Sequence, residues 1–166
     1  MMRWIGGGSV RDEQQTKATI ETFERRWDQH GLGMFALELR APGELIGFTG
    51  LAVPQFLPEV MPAVKIGWHL GRAFWGRGLA TEAAAATLRF GLIDRNLGQI
   101  ISIAQVGNGA SERIMGKLGM RLARKTADPT CDRPVRGLRD HQGAVPGGRP
   151  KVIRRPHGQA SREPAF

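Results

Sequence analysis

Several residue types and patterns are scarce in this chain of 166 residues, and each scarcity excludes something. A single cysteine, Cys131, rules out an internal disulfide and a cysteine-based metal cluster. Tyrosine is absent, so no phenol is available as a proton donor. No apolar run approaches the roughly 18–20 residues that a membrane-spanning helix needs, and residues 1–8 lack the apolar segment of a signal peptide. These observations predict a soluble cytoplasmic protein with no metal site and no membrane partner.

The net charge of +9 is concentrated in the last quarter of the chain. Residues 1–122 hold 14 basic and 11 acidic side chains, whereas residues 123–166 hold 10 and 4. The same last segment carries six of the ten prolines, and no hydrophobic period of 2 or 3.6 continues beyond residue 127. Residues 126–166 are therefore predicted to form a basic, disordered tail. The alternative is a tail that binds RNA or DNA nonspecifically through phosphates.

Hydrophobic periodicity divides the first 125 residues into helices and strands. A helix is predicted over 11–30, because Ile20, Phe23 and Trp27 recur at helical spacing and glycines follow. Alternation predicts a hairpin, which is followed by a proline-rich loop over 54–62. The predicted strands are 34–40, 44–53, 64–70, 99–106 and 120–125, and the further helices are 81–95, with Ala84, Leu88, Leu92 and Ile93 facing inward, and 110–118. Strands joined by helices and by a hairpin indicate an α/β (α+β) domain.

The most informative segment is residues 66–82, which read IGWHLGRAFWGRGLATE. The pattern indicates a strand, a glycine-rich turn and the start of a helix. A turn that leads into a helix N-terminus offers unpaired backbone N–H groups and the positive end of the helix dipole, which together hold phosphates. The segment therefore predicts a site for a phosphate-containing cofactor, with a plain strand-to-helix turn as the alternative.

A second block, residues 106–120, reads VGNGASERIMGKLGM. In this order, the two blocks resemble the acetyl-CoA motif and the following segment of the GNAT N-acetyltransferases. They are most similar to the branch that includes the ribosomal-protein N-terminal alanine acetyltransferases. The resemblance covers residues 2–125, so residues 1–125 are predicted to be the acetyltransferase domain. It implies a mixed, mostly antiparallel sheet flanked by helices, with acetyl-CoA as cosubstrate.

The family's Gln/Arg-x-x-Gly-x-Gly/Ala motif falls on residues 75–80, where Gly78 and Ala80 match and Trp75 departs. The resemblance implies that backbone N–H groups of this turn hold the CoA pyrophosphate and that the preceding strand pairs with the pantetheine arm. The N–H of Leu70 would polarise the thioester carbonyl as an oxyanion donor. The resemblance also places Asn108 and Ser111 beside the thiol, with helix capping as the alternative. The residues predicted to bind the cofactor are Trp68, His69, Leu70, Trp75, Gly76, Arg77, Gly78, Leu79, Ala80, Thr81, Asn108 and Ser111.

The reaction implied by the resemblance is the attack of a neutral amine, on a protein N-terminus or a small molecule, on the acetyl-CoA thioester. Many family members use a tyrosine to protonate the departing thiolate. In this chain Ser111 is the candidate acid by position, and solvent is the alternative. The base is unassigned: Glu59 is either near the acceptor or a solvated loop charge, and His69 is predicted to be structural. The competing functions are a noncatalytic acetyl-CoA-binding or ribosome-associated protein and an inactive remnant of the family.

The chain departs from the family at both ends. The first strand and helix that usually precede the segment matching residues 2–5 are missing, which predicts a truncated sheet. Residues 137–145 read GLRDHQGAV, where the family ends in a strand resembling Val-Tyr-Glu-Ile-Thr-Arg-Glu. Codons chosen for these residues encode that ending when they are read one base later. We hypothesise that a one-base insertion near Arg136 shifted the frame from about residue 137 and removed the native last strand, which the nucleotide sequence would test.

Overall fold

The computed structural model describes residues 11–41, 43–128 and 133–139. In chain order the main elements are α1 (Glu13–His30), β1 (Met34–Glu38), β2 (Leu45–Ala52), β3 (Val64–Leu70), α2 (Leu79–Arg89), β4 (Ile100–Gln105), α3 (Gly109–Lys117), β5 (Arg121–Asp128) and β6 (Arg133–Arg139). The strands form one sheet in the order β1-β2-β3-β4-β6-β5. Strands β3 and β4 are parallel and the other neighbours are antiparallel. The predicted class, a mixed and mostly antiparallel sheet flanked by helices, is confirmed.

Helix α1 begins and ends where the local sequence directs it. The carboxylate of Asp12 accepts a hydrogen bond from the backbone N–H of Gln15 at 2.7 Å, and the Gln15 side chain accepts one from the Asp12 N–H. These two bonds form a capping box. At the other end Gly31 has a left-handed φ of +60°, which stops the helix. Trp27 then packs edge-on against Phe35 of β1 at a centroid distance of 4.9 Å, so the helix rests on the first strand.

Helix α2 is held over the middle of the sheet by a buried polar contact and an apolar core. The hydroxyl of Thr87 lies 3.3 Å from that of Thr49 on β2, and Thr49 donates to the carbonyl of Gly67 on β3 at 3.0 Å. The core around this contact consists of Leu51, Ile66, Ala84, Leu88, Ile100, Ala104, Met115, Leu118 and Met120. Because both hydroxyls are fully buried and bonded, the helix sits at a defined position along β2 and β3.

The predicted helix over 81–95 differs from the observed one at both ends. Helix α2 begins two residues earlier, at Leu79, and its last turn is a wider π-helical turn over Phe90–Asp94. In that turn the N–H of Arg95 donates to the carbonyl of Phe90, five residues back. The extra residue per turn rotates the following side chains away from the inward stripe. Ile93 is therefore 64% exposed, and its predicted place in the core is wrong.

The sheet continues past residue 125, where the acetyltransferase domain was predicted to end. Strand β5 runs to Asp128 and lies at the edge of the sheet. Strand β6 lies between β4 and β5 and is hydrogen-bonded to both. The described residues therefore include a sixth strand at Arg133–Arg139, which spans the point near residue 137 where the native sequence was predicted to end. The reading-frame hypothesis concerns the gene and stays a prediction. Cys131, the segment around residues 2–5 and the segment from residue 140 lie outside the described residues, so the predicted truncation at the start stays a prediction.

Candidate functional site

The register of β2 and β3 determines which backbone groups of β3 are free to bind a ligand. The N–H of Gly71 donates to the carbonyl of Ile46 at 2.8 Å, and these two residues are opposite each other in the continued register. Because antiparallel pairs alternate between bonded and non-bonded positions, residues 69 and 67 also direct their backbone groups toward β2. Trp68 and Leu70 therefore direct their N–H groups to the other side, toward β4.

Strand β4 does not follow β3 to its end. Within the described residues the β3–β4 pairs run from Val64↔Ile100 to Ile66↔Ser102 and then stop. Strand β4 continues to Gln105, and its other edge pairs with β6 from Ile101 to Gln105. The two parallel strands therefore separate toward their carboxyl ends, and the unpaired edge of β3 faces this opening. An extended chain with amide groups fits such an edge as an added strand would.

The glycine-rich turn begins directly after this edge. A short 3₁₀ turn over Arg72–Phe74 is followed by Gly76 and Gly78, which have left-handed φ angles of +75° and +78°. A Cβ placed at either glycine would meet no atom of the described residues within 4 Å. Their requirement is therefore conformational: the turn needs positive φ at these two positions, and the space beside the backbone is open.

Helix α2 starts from this turn without a side-chain cap. Gly78 is its N-cap and makes no side-chain hydrogen bond, and the first intrahelical bond runs from the N–H of Glu82 to the carbonyl of Gly78 at 3.0 Å. The N–H groups of Leu79, Ala80 and Thr81 precede that bond and point out of the helix end. Together with the helix dipole they form an anion seat beside the open space at the glycines.

Trp75 connects the turn to the strand. Its indole N–H donates to the carbonyl of Leu70 at 3.0 Å in a partly buried contact, while the side chain as a whole is 48% exposed. The sequence showed only that Trp75 departs from the family motif, and it did not reveal this bond. The available signal was chemical: the Gln and Arg side chains expected there also carry N–H donors, as indole does.

Asn108 and Ser111 lie at the start of α3, at the carboxyl end of β4. The side chain of Asn108 accepts a hydrogen bond from the backbone N–H of Ser111 at 3.2 Å, so the capping alternative is confirmed for this pair. The Ser111 hydroxyl is on a half-buried residue. Because β3 and β4 are parallel neighbours, the first turns of α2 and α3 lie at the same end of the sheet, where the opening is.

His69, a predicted cofactor-binding residue, and Glu59, which the sequence left open as either near the acceptor or a solvated loop charge, are not brought to the opening. The backbone N–H and carbonyl of His69 point toward β2. Its ring stacks on that of Phe48 at a centroid distance of 4.9 Å. Because strand side chains alternate, this ring lies on the sheet face opposite the side chains of Trp68 and Leu70. Burial lowers the pKa of His69 below its usual 6.5, with the charge of Arg11 acting in the same direction. Glu59 lies in a 3₁₀ turn before β3, at the opposite end of that strand from the glycines.

The described residues contain no group of three or more His, Cys, Asp or Glu side chains arranged to hold a metal ion. Among the same residues, no helix is both long enough and apolar enough to span a bilayer. The groups that the structure does assemble are backbone donors: a strand edge and a helix N-terminus, joined through Trp75. Such a set suits a ligand with an amide arm and a phosphate group.

Comparison with known proteins agrees with this geometry. Residues 1–121 match the acetyltransferase (GNAT) domain family. The uncharacterized protein YkkB of Bacillus subtilis (strain 168) is 32% identical over 115 residues, which are 69% of this chain and 66% of YkkB. The chain thus spans just under two thirds of the length of that relative.

Solved structures show the same architecture. The crystal structure of an acetyltransferase from Agrobacterium tumefaciens str. C58 superposes with a TM-score of 0.68 at 28% identity, covering 82% of this chain and 77% of that one. The ribosomal alpha-N-protein acetyltransferase RimL, in complex with coenzyme A, has a TM-score of 0.65 at 14% identity, over 80% and 74% of the two chains. At that identity the likeness to RimL shows the fold alone. The matched family, the relative and the geometry of strand, turn and helix together establish that this chain belongs to the GNAT acetyltransferase family.

Proposed function

We propose that this chain is an acetyl-CoA-dependent N-acetyltransferase that transfers the acetyl group to a primary amine, on a protein N-terminus or a small molecule. The observation that carries the proposal is the adjacency of the open β3 edge at Trp68 and Leu70 to the uncapped N-terminus of α2. The edge suits the amides of a pantetheine arm and the helix end suits a pyrophosphate. The open space at Gly76 and Gly78 leaves room for the phosphates. Acetyl-CoA, when bound, supplies an acetyl group activated as a thioester.

The backbone of this chain then provides the electrostatic part of catalysis. The N–H of Leu70 faces the opening and would donate to the carbonyl oxygen under attack, where negative charge develops. The Leu70 carbonyl already accepts from Trp75, so the N–H is the group that remains at this residue. Since a fixed donor needs no reorganisation during the reaction, this contact is expected to favour the transition state over the ground state.

Proton transfer is assigned to Ser111 and solvent. The half-buried Ser111 is at the first turn of α3, on the β4 side of the opening, and its hydroxyl would give a proton to the departing sulfur. Solvent would take the proton that the attacking amine loses and would return one to the Ser111 oxygen. No carboxylate is assigned to this step because Glu59 is at the far end of β3. Seven residues of strand, about 20 Å at 3.3 Å per residue, separate that end from the turn.

The proposal also includes a class of acceptor and a cellular compartment. The resemblance to the ribosomal-protein alanine acetyltransferases favours an alanine-type protein N-terminus as the first acceptor to test, in the cytoplasm. The likeness to RimL supports the shared fold behind this choice. Nonspecific binding of nucleic acid is assigned only to the basic segment over 123–166, which holds 10 basic and 4 acidic residues.

The test is binding followed by turnover. Isothermal titration with CoA is expected to show one site, and CoA is expected to raise the melting temperature because it binds only the folded chain. Release of free thiol from acetyl-CoA is then measured with an alanine-initiated peptide, and with spermidine as a small-molecule amine. Binding with no turnover on any amine would support a noncatalytic CoA-binding protein. Absence of CoA binding would overturn the proposal.

A further inference from the structure

We propose that Trp75 is a positioning residue, whose indole N–H holds the end of β3 at a set position relative to the glycine-rich turn. The inference rests on the proposed function, because it concerns how the two parts of the CoA site act on one ligand. The strand edge at Trp68 and Leu70 is one part, here called the arm subsite. The N-terminus of α2 with Gly76 and Gly78 is the other, here called the phosphate subsite.

The peptide group between Leu70 and Gly71 is held from both sides. Its carbonyl accepts the Trp75 indole N–H at 3.0 Å, and its N–H donates to the carbonyl of Ile46 on β2 at 2.8 Å. This peptide is the link between the last residue of β3 and the turn. Since both of its polar groups are bonded, it resists rotation, and the direction in which the chain leaves the strand is set.

The indole is suited to this role more than to packing in the core. Trp75 is 48% exposed, whereas aromatic residues that contribute mainly by burial lose most of their exposed surface. Its N–H points inward to the strand while much of the ring faces outward. A substitution that keeps an aromatic ring but removes the N–H should therefore change the link and leave the fold intact.

The link matters because a single ligand has to occupy both subsites. If the strand end and the turn move independently, binding of CoA must order them and the affinity falls by that cost. The bond from Trp75 fixes their separation in advance. A ligand that reaches only the phosphate subsite gains nothing from that separation. The role of Trp75 is therefore visible as a difference between a long and a short ligand.

The experiment compares Trp75→Phe with a matched control, Trp27→Phe. In α1 the indole N–H of Trp27 also donates to a backbone carbonyl at 3.0 Å, that of Met34, in a partly buried contact. The control thus removes the same kind of bond away from the glycine-rich turn. Titration with CoA, which reaches both subsites, and with ADP, which reaches only the phosphate subsite, gives the readout.

Trp75→Phe is expected to weaken CoA binding about 2- to 12-fold, the range of one neutral hydrogen bond, and to leave ADP binding unchanged. Trp27→Phe is expected to bind CoA as the wild type does. Equal CoA affinity in all three proteins overturns the inference, and so does an equal loss of CoA and ADP affinity in Trp75→Phe. A wild type that binds no CoA overturns the proposed function itself, which is a distinguishable result.

A second pair of variants keeps the inference testable if Trp75→Phe does not fold. Trp75→Gln retains a side-chain N–H donor, whereas Trp75→Leu has none. We expect the glutamine variant to bind CoA closer to the wild-type affinity than the leucine variant does. Equal affinity of these two variants contradicts a role for the donor, because they differ little in size and mainly in that group.

Discussion

Replacing Gly78 with alanine tests whether the shape of the glycine-rich turn, and not merely its flexibility, makes the phosphate subsite. Gly78 has φ +78° and open space around its Cβ position. An alanine there has no clash to relieve, so its folded-state cost is the left-handed conformation alone, about 1–2 kcal/mol. Reduced freedom of the unfolded chain returns about 0.4–1 kcal/mol of this. A net loss of about 1 kcal/mol is expected, or roughly 2–4 °C in Tm.

The loss of ligand binding should be larger than this loss of stability. Relaxing φ at residue 78 rotates the peptide groups that lead into α2 and misdirects the N–H groups of Leu79 and Ala80. A hydrogen bond to a charged group contributes about 1.5–3 kcal/mol, so losing one weakens CoA binding about 10- to 100-fold. Titration calorimetry at 25 °C measures the affinity, and thermal unfolding without ligand measures the stability.

Gly119→Ala supplies the control for this prediction. Gly119 follows α3 with φ +76°, and within the described part of the chain a Cβ there also meets no atom within 4 Å. It lies at the other end of that helix from Asn108 and therefore away from the opening. The Gly119→Ala variant should therefore lower Tm by about as much as Gly78→Ala does and leave CoA binding unchanged. If the two variants weaken CoA binding equally, or if Gly78→Ala binds CoA as the wild type does, the assigned phosphate subsite is wrong.

The other predictions concern packing, pH and proton transfer. Gly50→Ala should cost about 3 kcal/mol, seen as a melting temperature roughly 10 °C lower, because its Cβ would collide with the Gly33 carbonyl. When the pH is lowered from 7.5 to 5.5, the His69→Gln variant should lose less stability than the wild type does, as measured by thermal unfolding. The pKa of folded His69 is below 6.5, so the unfolded chain takes up the proton first and stability falls as pH falls. Ser111→Ala should lower kcat about 100-fold or more, with a KM for acetyl-CoA near that of the wild type.

Each of these has a result that would contradict it. Gly67 is the comparison for Gly50, because among the described residues its Cβ would meet only the Lys65 ammonium, at 3.8 Å. Equal melting temperatures of the two alanine variants would contradict the packing argument. Parallel pH profiles for wild type and His69→Gln would show that the imidazole is not the group resisting protonation. Full activity of Ser111→Ala would assign the acid role to solvent. The N-cap bond is preserved in that variant, since Asn108 accepts from the backbone of residue 111.

Local patterns in the sequence were sufficient for the elements that lead into the site. The strand predicted over 64–70 is observed at those residues, because alternation and the following glycine turn both delimit it. Helix α2 was placed two residues late because its cap is Gly78, which has no side chain to mark a helix start. The exposed Ile93 was placed in the core because a regular period was assumed across the π-helical turn, whose cause is tertiary: Gly91 packs against Ile100 and Leu51.

Longer-range relations could not be obtained from local patterns. Strand β6 contains Pro134 and Gly137 and has no alternation of apolar residues, so it forms through pairing with its two neighbours, the more distant β4 and the adjacent β5. The separation of β3 and β4 after Ile66 is likewise a relation between strands that are far apart in the sequence. At the site, the resemblance pointed to Leu70 on the edge facing the opening. The predicted cofactor-binding residues also included His69, because only the register with β2 shows that the backbone groups of His69 face β2 while those of Leu70 face away.

The place of β6 between β4 and β5 determines the order in which this half of the sheet can be assembled. Strand β5 has β6 as its neighbour in the described sheet, so it cannot join before residues 133–139 have been synthesised. The two strands are close in sequence and are expected to form a hairpin first, then dock on β4 as a unit. A protein ending at residue 125 would lose this hairpin and expose the edge of β4 to pairing with other chains. The last strand is thus also a barrier against aggregation.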